Sequence, residues 1–201
     1  MLSVKKLYKS FGSNHVLKNL SIDFSLGKII MIIGNNGSGK STLLNCLSQT
    51  TEIDRGSINR NGFKTFFLSD KDNIIGNLTI QENIKIITSL YNTDFNNDIF
   101  NKYVNQLNLN EHLDKQLKNL SRGNLQKNKM LMALCTNWNY LLLDEPFSNL
   151  DDDSINTQKH LINKLKSENR TVIFSTHNHH LFKEIADEIY LIQSGSMQNA
   201  I

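Results

Sequence analysis

Apolar residues follow three successive rhythms along this chain. Over about residues 2–62, short apolar runs are broken by Gly12, Gly27, Gly56 and Gly62, which predicts strands joined by turns in a mixed sheet. Between Asp70 and Leu134 the spacing becomes helical: Ile80, Ile84 and Ile87, then Ile99, Tyr103 and Leu107, then residues 125–134. Continuous apolar runs return at 140–143 and 171–174, with a helix expected at about 154–168 between them and a short strand at 189–192 before Gly195. Two buried strands flanking a helix form a βαβ arrangement. The pattern therefore predicts one α/β domain over 1–201, with a core at about 1–69 and 137–201 and a helical subdomain inserted at about 70–136.

The densest chemistry lies between the apolar run Ile29–Ile33 and the helix-like residues 43–47, in Gly34-Asn35-Asn36-Gly37-Ser38-Gly39-Lys40-Ser41-Thr42. A strand, a glycine loop and a helix in that order let backbone N–H groups close around phosphate oxygens, and the helix N-terminus adds partial positive charge. Lys40 is spaced to reach the β- and γ-phosphates and Ser41 to offer a hydroxyl to Mg²⁺, while the three glycines mark places where side chains would crowd a nucleotide. A second constellation, Leu141-Leu142-Leu143-Asp144-Glu145-Pro146, ends an apolar strand in two carboxylates, a costly arrangement without a cation to receive them. Beside a phosphate loop, Asp144 suits Mg²⁺ and Glu145 suits an attacking water, as base or as orienting group. The plainer alternative, a solvated strand end at a turn begun by Pro146, loses ground because the phosphate loop is in the same chain.

Composition narrows the classes. With 201 residues, 39% hydrophobic and 20% charged, the chain fits one soluble globular unit able to bury a core. A net charge of +3 without a block of five basic residues predicts no nucleic-acid partner. No apolar run approaches the roughly 18 residues that span a bilayer, and residues 1–6 lack the apolar stretch of a signal peptide, so a cytoplasmic location is expected. Cys46 and Cys135 read as reduced core residues, and Trp138 as a packing residue. His177, His179 and His180 have the wrong spacing for a zinc site and no cysteine beside them. Two of Asp151, Asp152 and Asp153 read as the acidic cap of the helix that follows.

Three further motifs complete an order. Leu120-Ser121-Arg122-Gly123-Asn124 opens a helix before Asp144, Phe147-Ser148-Asn149-Leu150-Asp151 follows the acidic pair, and Phe174-Ser175-Thr176-His177 closes the next strand. Together these motifs resemble the ATP-binding cassette (ABC) ATPases over essentially the whole chain. The resemblance implies a P-loop NTPase fold, with a RecA-like core, an antiparallel β subdomain and an inserted helical subdomain. It implies ATP and Mg²⁺ as cofactors, with residues 34–42 as the Walker A loop, 141–144 as the Walker B strand, and Glu145, Lys40 and His177 as the catalytic group. Phe11 takes the place of the aromatic that stacks on adenine. Ser121 and Gly123 belong to a signature loop that acts on the nucleotide of a second cassette, and Asp151 to the D-loop. Ser41, Asp144 and Asp70 would hold the metal.

The resemblance further implies an ATP-bound homodimer on the cytoplasmic face of a membrane, working with a separate polytopic membrane subunit. The sequence departs from the family pattern at Arg122 (a glycine in the family), at Asn124 (a glutamine) and at Asp70, where a metal-contacting glutamine is usual. A carboxylate at 70 can still ligate Mg²⁺, but it adds negative charge beside the triphosphate. The small size and the run Leu78-Thr79-Ile80-Gln81-Glu82-Asn83 resemble exporters, the haem exporters of cytochrome c maturation among them. The alternative is a soluble ABC-type ATPase not coupled to transport.

Overall fold

The computed structural model describes residues 1–69 and 74–200. They group into two compact units, one of residues 1–69, 138–146 and 162–200, the other of 74–137 and 147–161.

In the first unit, β1 (Leu2–Phe11), β2 (Asn14–Phe24) and β4 (Arg55–Asn59) pair antiparallel in the order β2-β1-β4. Leu2, Val4 and Leu7 of β1 are buried, and the odd spacing from 4 to 7 is absorbed by a register shift with Lys6 at φ 47. β3 (Ile29–Ile33) lies in a different sheet, with β5 (Thr65–Leu68), β6 (Tyr140–Asp144), β7 (Thr171–Ser175), β8 (Glu188–Gln193) and β9 (Ser196–Asn199). Their order is β5-β6-β7-β3-β8-β9, parallel except for β9. The single mixed sheet expected over 2–62 is thus corrected to strands shared between two sheets. The reason is in the burial: β1 buries only Leu2, Val4 and Leu7, and β2 only Leu17, Leu20 and Phe24, whereas residues 29–32 of β3 are all buried, as suits a central parallel strand.

α1 (Lys40–Ser48) follows β3 and buries Leu43, Leu44 and Leu47 in the core shared by both sheets. Tyr140 pins those sheets together: its hydroxyl donates to the Phe24 carbonyl at 2.8 Å and accepts from the Leu2 amide at 3.0 Å, and burial raises its pKa. Asp187 fixes the start of β3 by accepting from the Ile29 amide at 2.8 Å while Lys166 holds its other oxygen. Trp138 is buried, with the Arg170 guanidinium 3.6 Å from the ring centroid.

The second unit is helical, with α2 (Ile80–Leu90), α3 (Asn97–Gln106), α4 (Arg122–Leu134) and the first part of α5 (Asp152–Ser167). Its helix starts are chemically closed. Thr79 and Glu82 form a reciprocal capping box on α2, Asn96 caps α3, Ser121 caps α4, and Asp151 accepts from the Ser154 amide at 2.8 Å. Among the described residues no helix is long and apolar enough to cross a membrane.

Candidate functional site

The order β6-β7-β3 sets three carboxyl ends of parallel strands side by side, the edge at which open α/β sheets receive ligands. The glycine loop leaves the end of β3. A Cβ on Gly34 would lie 2.5 Å from the Ile192 carbonyl and 2.6 Å from Ser38 Oγ, so the loop closes there on protein atoms rather than on the space outside. Gly37 has open space around it but a φ of 76, so its requirement is conformational.

Gly39 is the N-cap of α1 and offers no side chain to the helix, and the first turn carries no acid. Ser38 Oγ is buried without a hydrogen-bond partner. Lys40, 6% exposed, donates from Nζ to the carbonyls of Gly34 at 2.8 Å and Asn35 at 3.2 Å. An uncapped helix start, an orphaned hydroxyl and a buried ammonium on one loop make a site that fits a polyphosphate. Ser41 and Thr42 occupy the first turn of α1, with Ser41 exposed.

Residues at the ends of β6 and β7 are strung together by hydrogen bonds. Ser175 Oγ donates to Asp144 Oδ1 at 2.6 Å and accepts from the Glu145 amide at 3.0 Å, so one buried hydroxyl orients both acidic residues. Asp144 is 7% exposed, a burial that a carboxylate tolerates only with hydrogen bonds or a cation, and its Oδ2 remains as an acceptor, which fits Mg²⁺. Glu145 sits at φ 49, a left-handed conformation uncommon for this residue type. Its Oε2 lies 3.0 Å from His177 Nδ1. A carboxylate can only accept, so Nδ1 carries the proton and Nε2 is left for another partner. His177 is exposed, and among the described residues no group of three or more His, Cys, Asp or Glu could hold a metal ion.

A cavity of about 630 Å³ adjoins this edge, lined by Asn14, His15, Val16 and Lys18 of β2, by residues 35–38 of the loop and by 191–195. Phe11, 54% exposed, is paired directly across the hairpin with Asn14. Ser121 and Gly123 belong to the helical unit. Ser121 Oγ accepts from the Asn124 amide at 3.2 Å, and a Cβ on Gly123 would approach the Asn149 carbonyl to 3.0 Å. Asp70 lies outside the described residues. Ser175 has no role of its own in the sequence motif that contains it, and His112, whose Nε2 is 2.8 Å from the Asn124 side-chain amide, belongs to no motif. The register of Asp144 opposite Ser175 reveals the first; nothing local in the sequence announces the second.

Residues 17–148 match the family profile described as ABC transporter. The chain is 28% identical to the phosphonates import ATP-binding protein PhnC of Fusobacterium nucleatum, over 98% of this chain and 90% of that protein. It is 27% identical to the probable ABC transporter ATP-binding protein PEB1C of Campylobacter jejuni, over 98% of this chain and 88% of that protein. In shape it is similar to the dimeric structure of a bacterial ABC transporter cassette, with a TM-score of 0.87 at 22% identity, covering 100% of this chain and 99% of that chain.

Proposed function

Because the chain belongs to the ABC transporter family, we propose that it is the ATP-hydrolysing subunit of a membrane transporter, driving substrate through separate membrane-spanning subunits by ATP-dependent pairing of two cassettes. The observation that carries this reading is the alignment of the uncapped phosphate loop with the Asp144–Ser175–Glu145–His177 string at neighbouring strand ends.

In this reading residues 34–42 cradle the triphosphate, with Lys40 turning from the Gly34 and Asn35 carbonyls to the phosphates. Asp144 and Ser41 would hold Mg²⁺, which neutralises charge on the β- and γ-phosphate oxygens; Asp70 joins them on the strength of its place in the motif order. Glu145 orients or deprotonates the attacking water, and His177, whose Nδ1–H is held by Glu145, presents Nε2 to the γ-phosphate and donates there when the ring is doubly protonated. Phe11 stacks on adenine. Ser121 and Gly123 serve the nucleotide of the paired cassette, and the assembly works on the cytoplasmic face of the membrane.

Direction of transport is a separate matter. The wording of the motif at residues 78–83 supports the export type, haem export included, whereas the Fusobacterium nucleatum relative is named an import protein. The reading proposed here is therefore transport with either direction, decided by the membrane partner.

Glu145→Gln tests the reading. With Mg²⁺ and ATP it is expected to lower hydrolysis by about 100-fold or more and to accumulate as a dimer on size-exclusion chromatography. A variant that stays monomeric in excess ATP overturns the pairing. A tagged form that recovers only soluble partners from detergent-solubilised membranes moves the function to an ABC-type ATPase outside transport.

A further inference from the structure

Lys9 is an unusual lysine: its side chain is only 14% exposed, although it stands on the strand next to the open hairpin. Its Nζ lies 3.2 Å from Asp54 Oδ1 and 5.1 Å from the centroid of the Phe11 ring, inside the range of a cation–π contact. Asp54 is itself fixed to β1 at two points, its Oδ2 accepting from the Ser10 amide at 2.7 Å and its own amide donating to the Tyr8 carbonyl at 2.9 Å. The Ser10 hydroxyl is 2.8 Å from His15 Nδ1, which ties the same stretch to the facing strand. An exposed ion pair alone would leave the ammonium free to swing into solvent. Here the anchor is rigid, and it delivers the ammonium onto an aromatic face.

We propose that Lys9 is a positioning residue for the nucleotide base: held by Asp54, it backs one face of Phe11 and fixes the ring against which adenine stacks. The proposal rests on the ATPase reading given above. Two effects act together. The cation draws π density toward its own side of the ring, which makes the ring a better platform for an electron-rich purine on its other side. It also orders in advance a side chain that is 54% exposed and would otherwise lose rotamer freedom on binding.

The test measures MgATP KM and kcat, and inhibition by inorganic tripolyphosphate, for the parent, Lys9→Met, Lys9→Arg, Phe11→Ala and the Lys9→Met/Phe11→Ala pair. Lys9→Met is expected to raise the KM roughly threefold to tenfold, with kcat within about twofold of the parent and tripolyphosphate inhibition unchanged. Lys9→Arg restores the KM, and in the Phe11→Ala background Lys9→Met adds nothing further. An equal loss on tripolyphosphate, or a loss that persists without Phe11, makes Lys9 a direct phosphate attractor and overturns the proposal, as does an unaltered KM. If Lys9→Met does not fold, Asp54→Asn takes its place, with the same direction of change expected and the same results overturning the idea. A parent that binds no nucleotide overturns the ATPase reading and this proposal with it; a parent that hydrolyses ATP while Lys9→Met matches it overturns this proposal alone.

Discussion

The starts of α1 and α2 are opposite solutions to one problem. Both helices begin with backbone N–H groups that have no partner within the helix. At α2 the Thr79 hydroxyl accepts from the Glu82 amide and the Glu82 carboxylate accepts from Thr79, so the end is chemically complete. At α1 the cap is Gly39, no side chain caps the helix, the first turn carries no acid, and the buried Ser38 hydroxyl lacks a partner. The helical unit closes its helix starts with side chains, whereas the loop of residues 34–39 leaves its helix start open, as the proposed phosphate-binding role requires. Stability and binding capacity are therefore written at the same kind of position, and opposite phenotypes should separate them.

The largest effect is expected from Ser38→Asp, which places a carboxylate at the open end. Like-charge repulsion should weaken MgATP binding by about 100-fold or more by calorimetry, while the melting temperature holds or rises as the helix gains a charge partner. Retained affinity would mean that the open end is not the phosphate site. Thr79→Ala gives the reverse pattern at α2: about 1 kcal/mol of unfolding free energy lost in urea, with MgATP KM unchanged. A change in KM there would tie the α2 cap to nucleotide binding and dissolve the comparison. The smallest effect is a pH dependence. The Thr79 backbone amide, and then its hydroxyl, hold the Glu82 carboxylate below its usual pKa. A depressed folded-state pKa stabilises above the unfolded value and is lost as pH falls through the folded one. Melting temperatures from pH 6 down to 3 should thus fall slightly more for the parent than for Glu82→Gln; identical acid limbs would leave the box without a charged member.

How much of this was legible in the sequence depends on how local each feature is. The loop of residues 34–42 and the strand–loop–helix around it could be read directly, because the requirement for glycine, lysine and hydroxyl at fixed spacing is met within nine consecutive residues. The α1 helix, the strand ending in Asp144 and the acidic cap at Asp151 follow from the same short-range logic. The Thr79–Glu82 box is equally local, a Thr-x-x-Glu spelled out in the chain. Ser175 was not readable as the hydroxyl joining Asp144 to Glu145, because that depends on which residue of β7 stands opposite the end of β6. Lys9 was hidden for the same reason: its anchor, Asp54, is 45 positions away. The division of residues 2–62 between two sheets also depends on pairing, since glycine-punctuated apolar runs announce strands without saying which neighbours they take.

The Tyr140 hydroxyl gives the molecule a mechanical property. It sits on the strand that ends four residues later in Asp144, and it grips the first residue of β1 and the last of β2, whose far ends meet at Phe11 and Asn14. The sheet that carries Phe11 and the strand that carries Asp144 are thus riveted at one end by the phenol, and nearer the hairpin a second tie, from the Lys18 amide to the Gly195 carbonyl at 2.8 Å, joins the same two sheets. The spacing between Phe11 and Asp144 is therefore set by ties across the two sheets rather than by neighbours in the chain.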